Sequence, residues 1–265
     1  MKNLLLLEWT KLKWPVLGTL ITLTLAVSIL TGTLYRDYSL EKDLEAWEIG
    51  ISFIVFIFPI IAVIPVCWLM YYERKDKFLW YTLTRVSKGQ YILAKWIVVA
   101  SSSFVIMFVA MSFGVITALY IKPDIIPKLY LLDSITGQPM PRSEKYHFMG
   151  SFFVHHPLRY GLLLSFWQGI LSAILATLGF VFSLYIRNIF VILTGPFIYV
   201  IVENFILNTL NLKPYRIYIS FNPDSYNVKR FGTFPLLCGP LLALLFITFV
   251  YIYYRKIKKV TVYPS

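Results

Sequence analysis

Few side chains in this sequence stand where they could do chemistry. His147, His155 and His156 form the densest group of metal-binding residue types. Adjacent histidines point in different directions on a helix, however, and no cysteine or carboxylate set completes a four-ligand site, so no metal is expected. A phosphate loop of the form G-x-x-x-x-G-K-[ST] is absent, which rules out ATP hydrolysis by this chain alone. H-E-x-x-H and G-x-S-x-G are absent too, and no paired carboxylates occur in an apolar setting, which weakens a membrane protease or lipid-modifying enzyme. Cys67 and Cys238 fall in segments that would place them about 20 Å apart at helical rise, too far for a disulfide. What remains is a set of isolated polar groups in apolar surroundings: Gln168, Glu203 and Asn204. Such groups need a partner in lipid, or they line a water-filled path.

The elements that hold these residues are long and apolar. The chain has 265 residues, 58% of them hydrophobic and only 14% charged. Soluble domains carry about 25% charge, and this one could not cover a water-facing surface. Six apolar runs stand out, at 15–35, 51–72, 97–121, 161–186, 189–207 and 236–254. Of all the charged side chains only Glu203 falls inside them. Runs of about 20 residues match a hydrocarbon core of about 30 Å, so the expected fold is an all-α integral membrane protein with six transmembrane helices.

The net charge of +12 could suggest nucleic acid, but its distribution argues otherwise. With the N-terminus inside, the cytoplasmic segments hold 14 Lys/Arg in 51 residues, against 11 in 82 for the outer loops. That asymmetry places both termini in the cytoplasm and makes the charge a topology signal, with no nucleic-acid partner implied. The first run is not a cleavable signal peptide, because Glu8, Lys11 and Lys13 interrupt it early and no small-residue cleavage site closes it.

Two segments next to the spans are amphipathic. Residues 1–14 read as a short lateral helix, with Leu5, Trp9 and Leu12 on one face and Glu8 and Lys11 on the other, and with Pro15 opening the first span. In 73–96, Phe78, Leu79, Thr82 and Val86 share a face, opposite Lys77, Trp80, Thr84 and Lys88. A short helix lying across the cytoplasmic surface is expected there, packed on lipid or on a protein partner.

Glu73-Arg74-Lys75, the stretch Thr82-Leu83-Thr84-Arg85-Val86-Ser87-Lys88-Gly89-Gln90-Tyr91-Ile92-Leu93-Ala94-Lys95, and the tight link Ser183-Leu184-Tyr185-Ile186-Arg187-Asn188 followed by Pro196 resemble the bacterial ABC-2 type permeases. The resemblance implies that the segment after the second span is a coupling helix resting in a groove of a separate ATPase subunit. Lys77, Phe78, Leu79, Thr82, Arg85 and Val86 would form that contact, and Glu73 with the N-terminal helix would brace it. It further implies a dimer of permeases, homomeric or heteromeric, above two ATPase copies that bind Mg-ATP, with no cofactor in this chain. The setting would be a bacterial cytoplasmic membrane. Asp76-Lys77-Phe78 departs from the Gly-Thr often found at that place, and the outer loop 122–160 is long, which sets the chain apart from compact glycan exporters.

Within that frame Gln168, Pro196, Glu203 and Asn204 are candidates for a translocation path or gate. Two readings stand for Glu203: a gate or substrate contact, or a partner for Lys213 or Arg216 with Asn204 beside it. Pro59, Pro65 and Gly195-Pro196 should kink their helices. Gly161, Ser165, Gly169 and Ala173 form a small-residue row that lets helices approach closely, within one subunit or across a dimer. Aromatic clusters at 146–153 and 215–226 should lie at the outer boundary as short interfacial or re-entrant helices. The whole chain, 1–265, reads as one transmembrane domain of an ATP-driven exporter whose cargo is hydrophobic or amphipathic, such as an antimicrobial or toxin-like peptide. A membrane enzyme or a non-transporting anchor are the competing classes.

Overall fold

The computed structural model describes residues 2–34, 38, 40–76, 86–122, 131–132, 139–140, 147–223 and 232–257. Six long helices carry the fold: α1 (Lys2–Thr33), α2 (Asp43–Lys75), α3 (Lys88–Ile116), α5 (Pro157–Tyr185), α6 (Ile189–Thr209) and α8 (Pro235–Ile252). All six are long and apolar enough to cross a membrane. Between them lie α4 (Gly150–His155), α7 (Ile217–Phe221), and a two-residue antiparallel pair, β1 (Leu131–Leu132) with β2 (Pro139–Met140). Single wide turns extend α3 through Ile121 and α8 through Ile257.

Local signals explain several boundaries. Proline sits in the first turn of α5 and α8, where its missing N–H costs nothing. The Asn188 side chain accepts the Phe190 N–H at 2.9 Å and starts α6 directly after the short link from α5. The second span begins earlier than its apolar run, at Asp43, because Asp43 and Glu45 favour the helix N-terminus while Arg74 and Lys75 favour its end.

The N-terminus departs from expectation. Residues 2–14 do not form a separate lateral helix; they run without a break into the first span, with Pro15 inside α1. Pro15 forfeits one backbone bond but does not end the helix. Thirty-two residues at helical rise reach about 48 Å, so about a third of α1 exceeds a hydrocarbon core of about 30 Å. The expected faces hold only in part: Leu12 is buried as expected, but Glu8 is 1% exposed while Trp9 is 38% exposed. Glu8 can face inward because the bundle supplies cations to meet it, as described below.

α5 lies at the centre, packed against α3, α2, α6 and α8, while α1 packs on α2 and α3. The small-residue row belongs to this interior. A methyl group at Gly161 would strike Val115 of α3, and one at Gly169 would strike the ring of Phe104. Ser165 is fully buried and donates to the Gly161 carbonyl, and Ala173 is partly buried. The row therefore serves a contact inside the subunit. Cys67 is buried and Cys238 only partly so; both are free thiols.

Candidate functional site

Four charged side chains meet where α1, α2 and α3 converge. Lys11 Nζ lies 2.8 Å from Glu8 Oε1 and 2.8 Å from Glu73 Oε1. Lys95 Nζ lies 2.6 Å from Glu8 Oε2 and also contacts Glu73 Oε2. The result is a closed ring of alternating charge in which every carboxylate oxygen meets an ammonium group. The Tyr91 hydroxyl adds a donor to Glu73 Oε2, and Lys95 sits over the Tyr91 ring. Glu8, Glu73 and Lys95 are buried, and only the Lys11 corner opens outward. Isolated charges in such a place would cost several kcal/mol each; the ring offsets that cost only as a complete set.

The residue after Glu73 points the other way and clamps a fourth helix. Arg74 Nη1 donates to the carbonyls of Ser183 at 2.7 Å and Ile186 at 3.2 Å, satisfying the last turn of α5 at its link to α6. The end of α2 is thus tied to α1 and α3 through Glu73 and to α5 through Arg74. The chain next enters the segment expected to couple to an ATPase. Lys77, Phe78, Leu79, Thr82 and Arg85 lie outside the described residues, and Val86 is partly buried just before α3.

At the far end of the bundle the candidate path residues converge on one segment. Glu203 is 7% exposed and accepts the backbone N–H of Ile217 at 3.1 Å. Neither Lys213 nor Arg216 supplies a hydrogen bond to it; Arg216 donates instead to Asn204 Oδ1 at 2.9 Å. Gln168 Nε2 donates to the Phe221 carbonyl at 2.9 Å, and the Trp167 indole donates to the Ser220 carbonyl at 2.9 Å. The Phe221 ring packs on Phe58 of α2 with centroids 4.3 Å apart. Gln168, Glu203 and Asn204 therefore all hold α7 and its approach in place between α2, α5, α6 and α8. Pro196 lies inside α6 and is buried.

Residues 4–137 match a family model described as ABC-2 family transporter protein. The chain belongs to the ABC-2 transporter family. The matched stretch is half of the permease and contains all four corners of the ion ring. No curated protein and no solved structure matches the chain. As a member of this family it is a multi-pass membrane protein and a permease of an ABC transporter, a non-catalytic subunit. Among the described residues no three His, Cys, Asp or Glu side chains gather as a metal site.

Sequence reasoning singled out Glu73 but passed over Glu8 and Lys95. In the sequence alone, charges flanking the spans read as topology signals, and Glu8 reads as part of the polar face of a lateral helix. The i,i+3 spacing of Glu8 and Lys11 puts both on one helix side, but nothing local says that this side turns inward, because the cation that allows it is Lys95 on another helix.

His147 lies at the opposite end of α2 from the ion ring. Its Nε2 lies 2.8 Å from Glu48 Oε2 and its Nδ1 lies 2.8 Å from the Phe148 carbonyl. Both partners are acceptors, so only the doubly protonated imidazolium satisfies both contacts. Burial opposes that charge, but the hydrogen bond and charge of Glu48 outweigh it, and the His147 pKa is raised above the ordinary value. The ring also stacks on Phe153, 4.0 Å away, and so fastens α4 against α2. Because the folded-state pKa is raised, the stabilisation is complete below about pH 6.5, the ordinary histidine value, and is lost as pH rises through the folded-state value. His147→Gln is therefore expected to lower the stability of the solubilised permease by about 1.5–3 kcal/mol at acidic pH, and by less at alkaline pH. Denaturant titrations of both forms across that range check this; a pH-independent difference would refute the imidazolium.

Proposed function

We propose that the chain is the membrane subunit of an ATP-driven exporter in a bacterial cytoplasmic membrane. It works as a homodimer or heterodimer above two ATPase subunits, which bind the Mg-ATP, and alternates between inward-open and outward-open states. The whole of 1–265 acts as one transmembrane domain with both termini in the cytoplasm. The observation that carries the reading is the anchoring of α2 immediately before 77–85. Glu73 and Arg74 join that anchor to α1, α3 and α5, so a force applied at 77–85 reaches four helices at once. Lys77, Phe78, Leu79, Thr82, Arg85 and Val86 form the surface that receives it, and Glu73 braces it.

The plug at α7 supports an outward gate. Gln168, Glu203 and Asn204 hold it closed, and Pro196 gives α6 a point at which to bend. α6 is the least buried of the six spans, which leaves a face for the second permease. Cargo is hydrophobic or amphipathic, an antimicrobial or toxin-like peptide, in keeping with apolar walls that carry few polar groups.

The coupling surface is tested by Phe78→Asp with Leu79→Asp. Co-expressed with its ATPase subunit, the wild-type permease is expected to co-purify with that subunit and to support ATP-dependent peptide efflux from vesicles. The double variant should assemble in the membrane yet lose at least tenfold in co-purification. Equal recovery of the ATPase with both forms would sink the assignment.

A further inference from the structure

A groove of about 850 Å³ runs along the outside of the bundle at the end where α2 closes and α3 begins. α5 forms its floor, and α3 and α8 form its walls. Its two ends differ in chemistry. At the rim stand Lys88 at the start of α3, Arg255 at the end of α8, and the hydroxyl-bearing Tyr185 and Tyr251. Arg255 Nη1 takes the Tyr251 hydroxyl as acceptor at 2.7 Å, which holds the guanidinium at the rim. Two cations and no acidic side chain line the groove.

Deeper in, the lining turns apolar: Ile92, Leu93, Phe180, Val181 and Ile247. Trp96 and Thr177 close the inner end through an indole-to-hydroxyl hydrogen bond at 3.1 Å. On each helix the lined stretch spans the same distance, Lys88 to Trp96, Tyr185 to Thr177 and Arg255 to Ile247, about 12 Å at helical rise. Leu93 and Trp96 are 44% and 40% exposed, so the groove opens sideways to the bilayer as well as at its rim. A site with a cationic, hydroxyl-bearing mouth at the interface and a lateral apolar channel beneath it is complementary to an amphiphile with an anionic head.

We propose that this groove binds one phospholipid with a net-negative headgroup, its phosphate between Lys88 and Arg255 and an acyl chain along α5. By the charge asymmetry of the loops this lipid belongs to the cytoplasmic leaflet. The site is separate from the ion ring and from the plug, and it stands whatever the cargo. Its place gives it a consequence: it bridges α8 to the first turns of α3, which directly follow 77–85.

The test uses the full chain, purified in detergent, with phosphatidylglycerol or phosphatidylcholine of identical acyl chains added, and reads bound lipid by native mass spectrometry. The wild type is expected to retain one phosphatidylglycerol per chain in preference to phosphatidylcholine. Lys88→Gln with Arg255→Gln should weaken that retention roughly 30-fold, as two interfacial charges are removed. Thr248→Trp, which leaves both charges and fills the channel from an exposed position, should lower retention as well. Equal retention of the two lipids overturns the proposal, as does retention unaffected by either variant. Glycerol phosphate that competes as well as the whole lipid would show an anion site without a lipid channel. A mass shift from dimer to monomer in the variants, with lipid binding unchanged, would assign the groove to a second copy of the chain.

Discussion

Lys95→Met is expected to destabilise the solubilised permease by about 3–5 kcal/mol, the usual cost of leaving a buried charge without its partner. Lys95 contacts both Glu8 and Glu73, and with a neutral side chain in its place the ring holds two carboxylates and one ammonium, with Glu8 and Glu73 buried. Glu8→Gln added to Lys95→Met leaves one Lys11–Glu73 pair of zero net charge and should recover about half of the loss or more. The pair of variants separates two roles. If the ring only holds the fold, transport recovers along with stability in the double variant. If it transmits movement from 77–85, transport stays low while stability returns. Chemical denaturation followed by tryptophan fluorescence, with ATP-dependent efflux from vesicles, measures both. Full stability in Lys95→Met alone would contradict the burial and pairing seen here.

The spans were legible because lipid excludes charge so strongly that only Glu203 falls within the six apolar runs. α1 was less legible, for two reasons that share a cause. Pro15 and the charges before it look like a boundary when the helix is considered alone, and Glu8 looks like a solvent-face residue. Both readings fail because Lys95, 87 residues away, supplies a cation at the same depth. Only tertiary contact reveals that. Glu203 shows the same limit. Its need for a partner was readable from one acidic group in an apolar helix, but the partner is the N–H of Ile217, a group that no side-chain inventory contains. The small-residue row by itself leaves open a contact within the subunit or across a dimer. Val115 and Phe104 of α3 decide it, since they fill the space that a side chain at Gly161 or Gly169 would need.

Gly239→Leu is expected to unseat the plug. A Cβ at Gly239 would sit 2.7 Å from the backbone N and Cα of Ile217, and backbone cannot yield as the tip of a flexible side chain can. Ile217 is also the residue whose N–H Glu203 accepts, so displacing it breaks that hydrogen bond and leaves the carboxylate buried without a donor. Ser220, 1% exposed and donating to the Leu236 carbonyl at 2.6 Å, reports on the seat. With Cys67 and Cys238 replaced by alanine and Ser220→Cys introduced, a membrane-impermeant maleimide should label the parent slowly. Overpacking of about 1–3 kcal/mol would shift the closed-to-open balance about 5- to 150-fold, and labelling should accelerate to match. Glu203→Leu, which removes the acceptor without crowding, should move labelling the same way by a smaller factor. The Glu203 variant makes the comparison decisive: α7 is held by Glu203 at one end and by Trp167 and Gln168 at the other, so loss of one anchor loosens the segment while backbone collision at Gly239 expels it. Labelling unchanged in both variants would mean that α7 is not a movable plug but a fixed part of the wall.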